Sequence, residues 1–211
     1  GADRLWADVR GAALTVPILF ELGQGAEVLV APQIRSAYEI GASGSDSMTY
    51  GVFAGISWQV SDALRIGPAF GLFSELEGDG IDAFPALIID WQISDLWSVS
   101  TGAGIGATQG PGLRLGYAAN DALNLGLEVR LENAEFRLNE TSLAPGGGGE
   151  DSSVPVVFSM EYSPHPAFLV NAFVGAAFDG ELTARDAAGM TVSQQSYDVA
   201  PLAGLAVQLR F

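Results

Sequence analysis

Four carboxylates crowd one short stretch, Glu75-Leu-Glu77-Gly-Asp79-Gly-Ile-Asp82. Carboxylate oxygens at such spacing are what hard cations take, so Ca²⁺ or Mg²⁺ is the ion to expect there. The order does not follow the EF-hand pattern, and the competing reading is a solvated acidic loop. A second set of charges is spread through apolar runs: Arg35, Arg65, Asp90, Arg114, Glu128, Arg130, Glu161 and Arg210, with Gln33, Gln59, Gln92 and Asn171. Both signs are present, so pairing among them is expected. Arginines left over would instead line a narrow pore favouring small anions. Covalent catalysis is poorly provided for. There is no Cys, and the single His, His165, sits in Ser-Pro-His-Pro-Ala. A base must reach its nucleophile, and flanking prolines make this a rigid turn. No catalytic residue or cofactor site is expected, and the chain is not read as an enzyme. "GAGIG" at Gly102–Gly106 has the glycines of a phosphate loop, but they recur every second residue and introduce no helix.

The elements that position these charges follow from composition and periodicity. The chain is 48% hydrophobic but only 16% charged, against about a quarter in ordinary soluble domains, and its mean hydropathy is +0.27. No run of about 18 apolar residues exists to make a membrane helix. The apolar residues alternate instead. Tyr50, Val52, Ala54, Ile56, Trp58 and Val60 share one face of a strand, and Thr49, Gly51, Phe53, Gly55, Ser57 and Gln59 the other. Leu123, Leu125, Leu127, Val129 and Leu131 stand opposite Asn124, Gly126, Glu128 and Arg130. Period-two alternation of this kind recurs along the whole chain. The net charge of −16 and the absence of Lys argue against nucleic acid as a partner.

Connections alternate in length. "GQGA", "SDA", "SDL", "AND" and "SPHPA" are short; "SELEGDGIDA", "NETSLAPGGGGEDSS" and "GELTARDAAGMTVSQQSYD" are long and carry most of the acid. Short turns at one end and long loops at the other are the pattern of a closed, antiparallel transmembrane β-barrel of the outer membrane. Trp58, Trp91, Trp97, Tyr117, Tyr162, Phe168 and Phe211 adjoin short turns or the chain end, as an interfacial belt requires. Trp6 joins them if Leu5–Val9 is a strand rising from that side. Tyr38, Tyr50, Phe84, Phe136 and Tyr197 then supply a second girdle. The turns predict about twelve strands in one domain, 1–211. "DRLWADVRG" is the first, turning near Gly11, and the last strand closes against it. If residues 4–22 form one bulged strand instead, the count is eleven. Inward glycines such as Gly51, Gly71 and Gly126 are expected to leave a lumen or to make room for inward Phe53, Phe73 and Phe173.

The stretches "FPALIIDWQISDLWSVSTG", "GPGLRLGYAANDALNLGLEVRLENAEFRL", "EDSSVPVVFSMEYSP" and "YDVAPLAGLAVQLRF" resemble an uncharacterised family of bacterial outer-membrane β-barrel proteins, a domain of unknown function. The resemblance implies fold and location and supplies no activity. A last strand of alternating apolar residues ending in Phe211 also resembles the signal read by the barrel-assembly machinery. The expectation is thus an integral outer-membrane barrel with a polar, largely plugged interior and acidic surface loops. Its partners would be membrane lipids and lipopolysaccharide, the latter bridged by divalent ions. The alternative is a narrow channel for small, anionic solutes.

Overall fold

A computed structural model describes residues 5–78, 80–101 and 111–209. The fold is all-β. Among the described residues there are fourteen strands: β1 (Val9–Thr15), β2 (Ile18–Gly23), β3 (Ala26–Glu39), β4 (Met48–Ser61), β5 (Leu64–Ser74), β6 (Ile81–Gln92), β7 (Trp97–Ser100), β8 (Gly112–Asn120), β9 (Leu123–Arg130), β10 (Glu132–Arg137), β11 (Gly148–His165), β12 (Phe168–Arg185), β13 (Thr191–Tyr197) and β14 (Ala200–Leu209). Nine of them, β3 to β11, form a closed barrel, and β1, β2, β12, β13 and β14 lie outside that ring.

The count differs from the expected twelve because three passes are interrupted. Thr15 faces Gln33 and Ile18 faces Val30, one register on both sides of Val16–Pro17. Pro17 has no N–H to give the ladder, so β1 and β2 are one pass cut by a proline. β9 and β10 likewise hold one register on β11, and β13 and β14 one register on β12. Fourteen strands therefore make eleven passes, which is the single-bulged-strand alternative. β1 runs straight across Gly11, so no turn forms there.

The short turns have local causes. Ser61 Oγ accepts the Ala63 N–H, Ser94 Oγ the Trp97 N–H and Asn120 Oδ1 the Ala122 N–H. Such side-chain acceptors close a tight turn without a longer loop. His165 acts in the same way, its Nδ1 accepting the Ala167 N–H at 3.2 Å. Gly23, Gln24 and Gly25 all take positive φ in the β2–β3 hairpin, where glycine is least strained.

Closure departs from expectation. β14 pairs β12 and β2 pairs β3, and among the described residues β14 and β2 do not pair with each other. The ring closes where Arg137 of β10 lies parallel to Tyr38 of β3. Phe211 and Arg210 lie outside the described residues, as do Asp79 and Gly102–Gly106.

Pairing registers carry one inward set round the wall: Leu29 and Ala31, Phe53 and Gly55, Ala69 and Gly71, Phe84 and Ala86, then Arg114, Glu128, Val157, Gly175 and Leu202. The inward glycines are filled by their neighbours. A Cβ on Gly51 would fall 2.0 Å from the Phe73 ring, one on Gly71 2.3 Å from Phe84, and one on Gly204 2.2 Å from Phe173. Phe73 and Phe84 stack at 5.9 Å. The glycines thus make room for inward aromatics and do not leave a bare lumen there.

Gly51→Ala should destabilise the fold by roughly 1–3 kcal/mol, since the Phe73 ring must move. In a Phe73→Ala background the same change should cost much less. Urea unfolding of the four proteins, followed by Trp fluorescence, measures that coupling.

Candidate functional site

On β9 the charges point into the barrel and the apolar residues that alternate with them point out. Glu128 is 2% exposed and Arg130 4%, while Leu127, Val129 and Leu131 on the same path are 46%, 44% and 62% exposed. The pattern repeats elsewhere: Ser57, Ala69, Val157 and Ser159 are buried inside; Trp58, Phe70, Leu115, Phe158 and Val174 are exposed outside.

Inside, Glu128 is the centre of a charge cluster. Arg130 Nε lies 3.3 Å from its Oε2 and Arg114 Nη1 3.7 Å from its Oε1. The arrangement follows from the β8–β9 register, which sets Arg114 opposite Glu128 and Gly112 opposite Arg130. Gly126 leaves space for the Arg114 guanidinium and Ser159 Oγ, both under 3 Å from where a Cβ would stand. Arg65 reaches Glu27 at 4.0 Å. Arg35 faces Thr49 in the ladder and is close enough to Glu135 and Glu132 to feel their charge. Glu161 stands between Asn124 and Asn171. Asp90 faces Arg65 in register but is exposed. The structure therefore gathers Arg114, Glu128 and Arg130 and leaves the other inward charges apart from them.

The long-loop end carries a cap that the sequence did not announce. Arg137 Nε donates to the Asp46 carbonyl, Nη1 to that of Gly146 and Nη2 to that of Leu76, at 3.0, 3.0 and 2.6 Å. One guanidinium thus pins three connections. Buried Glu39 holds the cap from below: Oε1 accepts the Ala7 N–H, and Oε2 accepts the Asn139 N–H and the Ser142 hydroxyl. Beneath lies a small apolar core of Ala37, Phe136, Leu138, Ala144 and Ala184, with Trp6 packed on it. Trp6 meets Phe136 edge-on at 4.9 Å, so it belongs to the cap and not to the short-turn belt. Phe84 and Phe136 also turn inward and Tyr197 donates to Asp151, leaving Tyr50 as the well-exposed member of the expected second girdle. At the other end Trp58, Trp91, Trp97 and Tyr162 are exposed as expected, and Trp97 packs on Tyr117 at 4.7 Å.

The acidic stretch splits. Glu77 Oε1 lies 3.6 Å from Arg137 Nη1, while the Glu75 carboxylate folds against Gly80. Asp82 opens β6, opposite Phe73. Among the described residues no group of three or more metal-ligating side chains converges. Glu77 is joined to Arg137 instead. A polar cleft of about 580 Å³ opens beside Ser43, Asp46 and Glu140, but the arginine on its wall, Arg137, is committed to the cap. Sequence reasoning passed over Arg137 and Glu39. Their signal was a charge closing an apolar alternation, in "AEFRLN" and "SAYEIG".

Comparison with protein-family models, with curated proteins and with solved structures returns no match.

Removing Glu128 should take that carboxylate from the buried Arg130 guanidinium and from the partly exposed Arg114. Glu128→Ala should cost about 3–5 kcal/mol in urea unfolding, and Arg65→Ala, on a half-exposed pair, under about 1 kcal/mol. Burial pushes the Glu77 carboxyl above its usual range; Arg137 and Arg185 pull it back, and Glu150 and Glu75 push it further up. A carboxyl raised in the folded state favours the proton there, so docking of its loop is tightest on the acid side. It weakens as pH rises through the raised value. Limited proteolysis of the 75–80 loop should accelerate over that rise in the wild type. The Glu77→Gln protein should lose that pH-dependent acceleration.

Proposed function

We propose that this chain is an integral β-barrel of the bacterial outer membrane, with a filled interior and a structural or interaction role carried by its acidic surface loops. The observation that carries the reading is the inverted wall. Exposed apolar side chains form the outward register and buried charges the inward one, an arrangement that suits hydrocarbon outside. Exposed Trp58, Trp91, Trp97 and Tyr162 at the short-turn end fit one interfacial belt. The same features agree with the resemblance to the uncharacterised outer-membrane family. About twelve strands would make a usual even-numbered barrel of that kind; eleven passes lack one. The Phe73–Phe84 stack, Phe173 over Gly204 and the Arg137 cap support a plugged interior. The acidic loops suit divalent ions bridging lipopolysaccharide. No enzymatic role is proposed: His165 is engaged in its turn.

One observation favours the channel reading as a second possibility. Arg114, in the inner cluster, keeps 24% of its side chain accessible. Refolding into liposomes followed by alkaline carbonate extraction tests the main proposal. Retention in the membrane pellet, with a silent planar bilayer, is the expected result; release into the supernatant would overturn it. Steady anion-selective conductance, reduced in an Arg114→Ala, Arg130→Ala double variant, would replace the plugged barrel by the channel.

A further inference from the structure

Polar side chains on the inner face are graded by depth. Gln59, Asp90 and Gln92, nearest the short turns, are exposed. Asn124, Glu161 and Asn171 are half-buried. Ser159 and Glu128, further along the same inner register, are 1% and 2% exposed. The inner face is therefore reached from the short-turn end.

Two opposite charges on this face are unmatched. Arg114 turns one nitrogen to Glu128, Nη1 at 3.7 Å, and its Nε and Nη2 donate no hydrogen bond among the described residues. Its side chain is 24% accessible. Glu161 has neither an ion pair nor a hydrogen bond among those residues. It stands in register between Asn124 and Asn171, and the Oδ1 of Asn171 is buried without a partner. Ser159 precedes Glu161 by two residues on the same face of β11, and its hydroxyl is also buried and unpaired. Its register partner is Gly126. Ser159 Oγ, Arg114 Nε and Arg114 Nη2 lie 2.6, 2.8 and 2.9 Å from the point where a Cβ on Gly126 would stand. One edge of a guanidinium and an unpaired hydroxyl are thus side by side. One row nearer the short turns, about 7 Å along the strand, is an unpaired carboxylate flanked by two carboxamides.

A partly buried charge without a partner is costly, and these two do not neutralise each other. A ligand carrying both charges would satisfy both. Carboxylate oxygens accept a parallel pair of bonds from Nε and Nη2 of an arginine, and a further one from a hydroxyl. A primary ammonium has three N–H donors, which the oxygens of Glu161, Asn171 and Asn124 can accept. We propose that Arg114, Ser159, Glu161 and Asn171 form a binding site for a small zwitterion, its carboxylate on Arg114 and Ser159 and its primary ammonium on Glu161 and Asn171, as in an α-amino acid. The inference rests on the inner register and on unpaired side chains, not on the membrane reading, so it is tested in detergent.

Saturation-transfer NMR with three probes at equal concentration is the experiment: L-alanine, propionate and ethylamine. Alanine should bind saturably and about tenfold or more tightly than either half-ligand, each of which lacks one charge-assisted contact. Arg114→Gln should abolish the preference for alanine over ethylamine, and Glu161→Gln the preference over propionate. Ser159→Ala keeps both charges and should weaken alanine by roughly threefold to tenfold. Asp90→Asn, at an exposed inner carboxylate on β6, should leave both preferences intact. Alanine binding no better than propionate or ethylamine in the wild type would overturn the proposal, whether or not the variants fold. So would preferences that survive both charge substitutions, or that vanish in Asp90→Asn.

Discussion

Side-chain parity is the constraint on which this molecule depends. A strand has period two, so a slip of one residue in any pairing would exchange its two faces. In β9 such a slip would move Glu128 and Arg130 from the interior to the exposed wall and bring Leu127 and Val129 inside. Glu128 would then lose Arg114, which meets it only because β8 holds Arg114 directly opposite. The ion cluster and the register therefore specify one another. A buried carboxylate between two guanidiniums is weak evidence for net stability, because its desolvation offsets much of the attraction. It is stronger evidence for uniqueness, since the slipped arrangement strands charges on both sides of the wall.

Glycine completes the interior by a different route. The barrel's inner face holds both large and absent side chains, set on neighbouring strands. Phe73 lies over Gly51, Phe84 over Gly71 and Phe173 over Gly204. A flat ring against bare backbone removes apolar area from water on both strands while the strands keep their spacing. The cap adds order at one end. Arg137 binds three carbonyl oxygens from three connections, an arrangement that suits the five fixed donors of a guanidinium and that a lysine could not reproduce. Glu39 does the complementary work for backbone N–H groups. Polar groups that the cap buries are thus met by opposite partners, with Phe136 and Trp6 excluding water beside them.

Much of this was legible before any coordinates. Alternation in "LNLGLEVRL" located β9 and assigned its faces, because period two is a local property. The short turns were legible for the same reason: Ser61, Ser94, Asn120 and His165 close them through contacts within two or three residues. Whatever depended on distant chain was not legible. Trp6 has the composition of a belt residue, yet Phe136 lies 130 positions away and decides its place. Phe84 sits in an alternating run whose phase is clear, but its partner glycine lies across a strand pair. The expected turn at Gly11 does not form because β1 holds one register on β3 from Val9 to Thr15, and Pro17 only interrupts that pass without shifting it. Glu77 looked like one of four ligands by spacing; the loop's fold brings it to Arg137 instead.

The closed mouth and the strands outside the ring are two results of one geometry. β3 leaves β4 at Ser36, opposite Met48, and two residues later its Tyr38 lies beside Arg137 of β10. The wall is therefore drawn together at the long-loop end, where the ring closes on fewer strands than the eleven passes could supply. Each strand needs about 4.8 Å of circumference, so passes excluded from the ring must stand outside it. β12 with β13 and β14 on one flank, and β1 with β2 on the other, are the excluded passes. They keep the same registers and the same inward set as the ring, so they continue the wall and do not form a separate sheet. A strand edge carrying unpaired N–H and C=O groups is tolerated in water and is costly in hydrocarbon. On the membrane reading the flanks cannot remain as two bare edges. Closing the mouth through Arg137 and Tyr38 thus leaves the opposite end of the wall with a pairing requirement that the described strands do not meet.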